Sequence, residues 1–157
     1  MSEIEEKLNN IVLIPCSGSE YHGELARQVA IRLAEKSKIS PLSSISCTTI
    51  LLKNVLLQKQ NMVDITKNHL MNSFLVIING CYTACASQIY EQLGIKPDLL
   101  ISVQEIIPKQ HINLNDINTF KNKKKLSELD EEDVKKVVEH IFDKLKERGL
   151  KLDELKL

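Results

Sequence analysis

The sequence predicts an α/β fold in three layers: a mostly parallel sheet of about four strands, helices on both faces, and one further helix at the C-terminal end. Three observations lead there. The runs Ile11–Ile14, Phe74–Ile78 and Leu99–Ile101 are continuously apolar, the pattern of strands buried on both faces. The segments between them carry apolar residues at helical spacing. Glycine, serine or proline punctuates the joints, as at Pro15, Gly80 and Gly94.

The elements follow in order. Asn10 to Pro15 reads as a short buried strand that Pro15 ends, and Cys16-Ser-Gly-Ser19 as the loop after it. From about Glu20, Leu25, Ala26, Val29, Ala30, Leu33 and Ala34 recur at helical spacing, with Ser19 as the expected N-cap and Ser37–Pro41 as the stop. Leu42–Ile50, rich in Ser, Thr and Ile, reads as a second strand with Cys47 near its end. Thr48 or Thr49 is then the expected cap of a helix from Leu51 to about Gln60, and Asp64–Asn72 reads as another helical turn or two.

Phe74–Asn79 reads as a strand buried on both faces. Gly80 allows a tight turn into a helix that bears Cys81 and Cys85, one turn apart on one face if the helix starts at Cys81. Leu93-Gly94 ends that helix, and Asp98–Val103 is the last strand. Ile107–Lys125, rich in Asn, Lys and Asp, reads as a surface connection, with Lys123, Lys124 and Lys125 as solvated charge. Ser127 is the expected cap of a final helix striped by Val134, Val137, Val138, Ile141, Phe142 and Leu145 and ended by Gly149. Leu150, Leu152, Leu155 and Leu157 of the tail are left to pack on the body or on another subunit. The alternation of elements is that of a Rossmann-like or flavodoxin-like sheet. Residues 1–106 form its α/β body, and 107–157 a polar connection and an amphipathic helix packed on the same domain.

Composition narrows the function. The chain has 157 residues, enough for one well-packed domain, and its 21 basic and 21 acidic residues cancel. A neutral chain without Trp lacks the basic footprint and stacking platforms of nucleic-acid binders. No apolar run approaches the ~20 residues of a membrane span. The acidic start, Met1-Ser-Glu-Ile-Glu-Glu-Lys7, is unlike a signal peptide, so a cytoplasmic location is expected. There, clustered cysteines are reduced, and they serve metal binding or catalysis more often than disulfides.

All four cysteines, Cys16, Cys47, Cys81 and Cys85, follow strand-like runs, where an open α/β sheet binds its ligands. Four converging thiolates satisfy tetrahedral Zn²⁺ at ~2.3 Å, and helix N-termini favour their deprotonated form. The plain alternative is four ordinary cysteines, since free Cys is among the most buried residue types. His22, six residues past Cys16, is a candidate substitute ligand or proton carrier, or else a partly exposed helix residue. His69, His111 and His140 have no motif around them, and His140 reads as a surface residue. A phosphatase reading of the first loop fails because the position needed for a phosphate-clamping arginine is His22. No Gly-x-Gly-x-x-Gly or Walker sequence is present, which removes the common nucleotide sites.

Cys16-Ser-Gly-Ser with Gly23 and Leu25, a cysteine after the second strand, and Asn79-Gly-Cys-Tyr-Thr-Ala-Cys85-Ala together resemble the DGC family, over roughly Ile11 to Glu105. The resemblance implies a zinc-binding protein of undefined biochemical role, with Cys16, Cys47, Cys81 and Cys85 as the chelators. The family's name-giving Asp-Gly-Cys departs here to Asn79-Gly80-Cys81, which keeps hydrogen bonding and loses the charge. The segment around Cys47 matches least.

Three classes of function remain. The first is a zinc protein whose metal is structural, handled or sensed. The second is a thiol enzyme or redox protein, with Cys81 and Cys85 as a disulfide pair or Cys16 and Cys81 as nucleophiles, or an iron–sulfur protein on the same ligands. The third is an interaction module that forms a homodimer or takes a protein partner through the C-terminal helix and tail. The residues leave open whether the chain is an enzyme.

Overall fold

The computed structural model describes residues 2–16, 18, 20–109, 115–121 and 123–151. After a first helical turn α1 (Glu3–Lys7), the elements run β1 (Ile11–Pro15), α2 (Tyr21–Lys36), a 3₁₀ turn at Ser40–Leu42, β2 (Ser43–Ile45), α3 (Thr48–Leu56), α4 (Gln60–Met71), β3 (Phe74–Asn79), α5 (Cys85–Gln92), β4 (Leu99–Ser102), α6 (Val103–Ile106), α7 (Ile117–Lys121) and α8 (Glu131–Glu147). The sheet order is β2-β1-β3-β4 and every pairing is parallel. This is the three-layer α/β sheet that the apolar runs predict.

The pleat divides the core in two. Ile11, Leu13, Phe74, Val76 and Ile78 turn to one face, where they join Leu25, Val29 and Leu33 of α2 and the α8 stripe. Val12, Ile14, Leu75 and Ile77 turn to the other, under Leu51, Leu70, Ala86 and Tyr90. All six stripe residues of α8 are buried, so the C-terminal helix shares its core with α2. The strand order reverses between β1 and β3, and the turns after these two strands flank the crevice of such a sheet.

Several local expectations are corrected. The second strand is three residues long, and Cys47 is the N-cap of α3. As an edge strand β2 is paired only with β1, and the chain turns into a helix that buries Leu51. Instead of a turn or two, α4 has twelve residues, held down by Val63 and Leu70 two turns apart. Asp130, not Ser127, caps α8, with its carboxylate accepting from the Glu132 amide. Lys124 is not freely solvated: it is half-buried and pairs with the buried Asp133. Gly94 and Gly149 end their helices at φ of +72° and +103°. The cap position of α2 falls on Glu20 rather than Ser19, and no side chain caps that helix. His111 and the tail residues Leu152, Leu155 and Leu157 lie outside the described residues. Among the described residues, no helix is long and apolar enough to cross a membrane.

Tyr21 ties α2 to α8. Its hydroxyl donates to Asp133 at 2.7 Å and accepts from the Asp130 amide at 3.1 Å. Burial, then the bond to Asp133, pushes the phenol up to about 12. Burial also works to raise the Asp133 carboxyl, but the hydrogen bonds from Lys124 and Tyr21 outweigh it and hold the group below its ordinary value.

Candidate metal centre

Three glycines bring the first and third turns together. A Cβ on Gly23, in the first turn of α2, would stand 2.4 Å from the Gly18 carbonyl oxygen, and one on Gly80 would stand 2.8 Å from the Gly23 Cα. The β1–α2 loop, the start of α2 and the β3–α5 turn are therefore stacked backbone on backbone. Cys16 is anchored within this stack. Its amide donates to the Ile78 carbonyl at 2.8 Å, and its buried Sγ accepts from the Gly18 amide at 3.3 Å.

Cys81 lies across the same junction and is half-buried. Near it is the carboxylate of Glu20, the N-cap residue of α2, whose side chain makes no capping bond of its own. Lys109 grips both Glu20 oxygens at 3.1 Å and, ahead of Cys81, holds that carboxyl below its ordinary value. On its other side Cys81 borders a hollow of about 270 Å³ at the ends of β3 and β4, lined also by Asn79, Ser87, Ser102 and Glu105.

The two cysteines of the third turn do not share a helical face. The helix starts at Cys85, because Ala84 takes a left-handed conformation at φ 52° and closes a turn onto the Cys81 carbonyl at 3.0 Å. Cys81 thus belongs to the turn, and the exposed Cys85 to the first position of α5. Ala84 cannot cap the helix with its side chain, and Asn79 does so from the end of β3. The Asn79 Oδ1 accepts from the Ser87 amide at 3.3 Å, and its Nδ2 donates to the Ser87 hydroxyl at 3.0 Å.

Cys47, also exposed, stands at the second turn, which the Ser46 amide fixes to the Leu13 carbonyl at 3.0 Å. Behind it is the fully buried Tyr90. Burial raises the Tyr90 phenol and outweighs the neighbouring Thr48 and Ser46 hydroxyls, which work to lower it.

His22 is not a partly exposed helix residue. It is buried, and its Nε2 donates to the Ile107 carbonyl at 2.7 Å, which leaves Nδ1 as the only nitrogen able to serve a ligand. Glu20, Lys109 and the Asn79–Ser87 pair are further polar residues of this edge. Only Asn79 had a signal in the sequence, its place beside Gly80 and Cys81.

All four cysteines are free. Among the described residues, no group of three or more His, Cys, Asp or Glu side chains is in position to hold a metal ion. The donor chemistry nonetheless fits a soft tetrahedral cation: four unpaired thiols follow β1, β2 and β3, which are adjacent in the sheet. No curated protein and no solved structure matches the chain. A family model described as the DGC domain matches residues 12–141, from the first strand well into α8. The chain therefore belongs to the DGC domain family.

Proposed function

We propose that the protein binds one zinc ion through Cys16, Cys47, Cys81 and Cys85, as a structural site or in metal handling or sensing. The observation that carries this reading is the distribution of the thiols. Each follows one of three neighbouring parallel strands, on the same edge of the sheet, and none is in a disulfide. Neighbouring strands lie about 5 Å apart, so turns that leave them in parallel bring thiols within reach of a common ion. Cys16 and Cys81 are held by the glycine stack, while Cys47 and Cys85 are exposed and can reorient at little packing cost. Zinc held by four thiolates supplies a redox-inert cross-link with no open coordination position. The reduced thiols suit a cytoplasmic location.

The test is elemental analysis of protein purified anaerobically, for the parent and for each Cys→Ser variant. Near one zinc per chain, lost or weakened in every variant, supports the site. Zinc content indifferent to all four substitutions refutes it.

One observation favours a second reading, thiol chemistry. The Cys16 sulfur accepts the Gly18 N–H, a contact that suits a nucleophilic or redox sulfur as well as a ligand. Metal-free protein with a pair of thiols recovered only after reduction would favour it. Iron with sulfide, visible as colour, would instead place an iron–sulfur cluster on the same cysteines.

A further inference from the structure

We propose that Asn79 is a positioning residue that fixes the span between Cys81 and Cys85 by capping α5 from the end of β3. A helix start leaves its first amides unsatisfied, and the N-cap side chain ordinarily meets that need. At α5 the N-cap is Ala84, whose methyl group accepts nothing and whose φ of 52° is costly for a residue other than glycine. Asn79 supplies the missing acceptor. Its Oδ1 takes the Ser87 amide at 3.3 Å, its Nδ2 donates to the Ser87 Oγ at 3.0 Å, and that hydroxyl donates on to the Ala84 carbonyl at 3.0 Å.

This chain of bonds starts from a side chain only 4% exposed, so water competes poorly for it. It also closes a loop. Asn79 and Ser87 are its two ends, and both Cys81 and Cys85 lie within it. The left-handed Ala84 is the bend that separates the thiols, and it is held from the Asn79 side through Ser87. What the Ser87 amide needs is a side-chain oxygen aimed at the first turn of α5, and asparagine and aspartate supply it about equally well. The Nδ2 bond to the Ser87 hydroxyl is asparagine's alone, and against aspartate that hydroxyl can donate to the carboxylate instead. The loss of charge in this chain's Asn79-Gly80-Cys81 therefore leaves the positioning intact. The inference rests on the metal reading only for the purpose of the thiol pair, not for the geometry.

The experiment uses the full chain, metal-free and reduced, with Asn79→Ala and Asn79→Asp. Dibromobimane, which bridges two thiols held close together, is reacted with each protein, and the Cys81–Cys85 bridge is located by peptide mapping. Its rate is divided by the rate of single-thiol alkylation at Cys85. Asn79→Ala is expected to lower this ratio about five-fold, the factor that loss of one ordinary cap represents. Asn79→Asp is expected to stay within about two-fold of the parent, whatever its melting temperature, because the capping oxygen remains.

A folded Asn79→Ala protein with an unchanged ratio would show a merely structural cap and overturn the proposal. An aspartate variant whose ratio falls about five-fold overturns it too, and decides the matter alone if the alanine variant does not fold. The bridging needs no metal. Failure of the cysteine series to alter zinc content would thus sink the metal reading and leave this proposal standing, and the reverse holds as well.

Discussion

Gly23 lies so close to Gly18 that a methyl group on it would stand 2.4 Å from the Gly18 carbonyl oxygen, a backbone atom that cannot swing aside. We predict that Gly23→Ala forces the β1–α2 loop off α2 and destabilises the fold by about 1–3 kcal/mol, the usual cost of overpacking. Cys16, buried against Gly18, should become markedly more reactive toward alkylating agents. Gly94→Ala is the control. It meets no atom within 4 Å and is strained only by its φ of +72°, so it should cost about 1–2 kcal/mol and leave Cys16 as protected as before. Thermal melts with peptide-resolved alkylation separate the two.

The Tyr21–Asp133 bond gives a pH prediction of definite sign. The Tyr21 phenol is raised to about 12 in the fold, above its ordinary value of 10.0, so the protonated form is favoured there. Its contribution to stability is full below pH 10 and is lost as the pH climbs toward 12. Asp133 is lowered from 3.8, so its contribution is present above that value and is lost as the pH falls through its folded value. Tyr21→Phe should therefore be less stable than the parent by about 1–2 kcal/mol near neutrality. The gap should close between pH 10 and 12 as the parent loses its advantage. A gap of constant size across that range, measured by denaturant titration, would contradict the assignment.

How far the sequence reveals these arrangements depends on whether the cause is local. The strands β1 and β3 are legible because burial on both faces demands an unbroken apolar run, and α8 because its stripe repeats at helical spacing. That the cysteines follow the strands is legible for the same reason, since each comes after such a run or a short strand. The separation of Cys81 from Cys85 is not legible, because it depends on Ala84 taking a conformation alanine normally avoids, and on Asn79 reaching Ser87 across the turn. The burial of His22 and the pairing of Glu20 with Lys109 join residues 85 and 89 positions apart, and neither leaves a local pattern. Lys124 looks like one of three solvated lysines until Asp133 is seen buried beside it.

If the proposed zinc site exists, metal removal gives a quantitative check. Zinc at 100-fold excess over its dissociation constant should stabilise the fold by about 2.7 kcal/mol, because an unfolded chain presents no assembled site. A chelator should abolish the gain and restore the reactivity of all four thiols. Each Cys→Ser variant should start near the parent's metal-free melting temperature and gain little from zinc. Equal stabilisation of parent and variants would mean that zinc binds elsewhere.

The start of α8 offers the sharpest contest between two readings of one stretch. Ser127 and Asp130 both have capping chemistry, and the acidic residues that follow suit either. Asp130 prevails because its carboxylate accepts from the Glu132 amide at 2.9 Å while its own amide donates to the Tyr21 hydroxyl. The half-buried Leu129 packs on the core, whereas Leu126 is left exposed, so the chain enters the core after Ser127. Asp130→Ala should cost about 1 kcal/mol, which for a domain of this size lowers the melting temperature by roughly 2–4 °C. Ser127→Ala should fall within about 0.5 kcal/mol of the parent, like other surface changes. If the two costs came out reversed, the helix would begin a turn earlier in solution, and the Tyr21–Asp133 anchor would have to be reassigned with it.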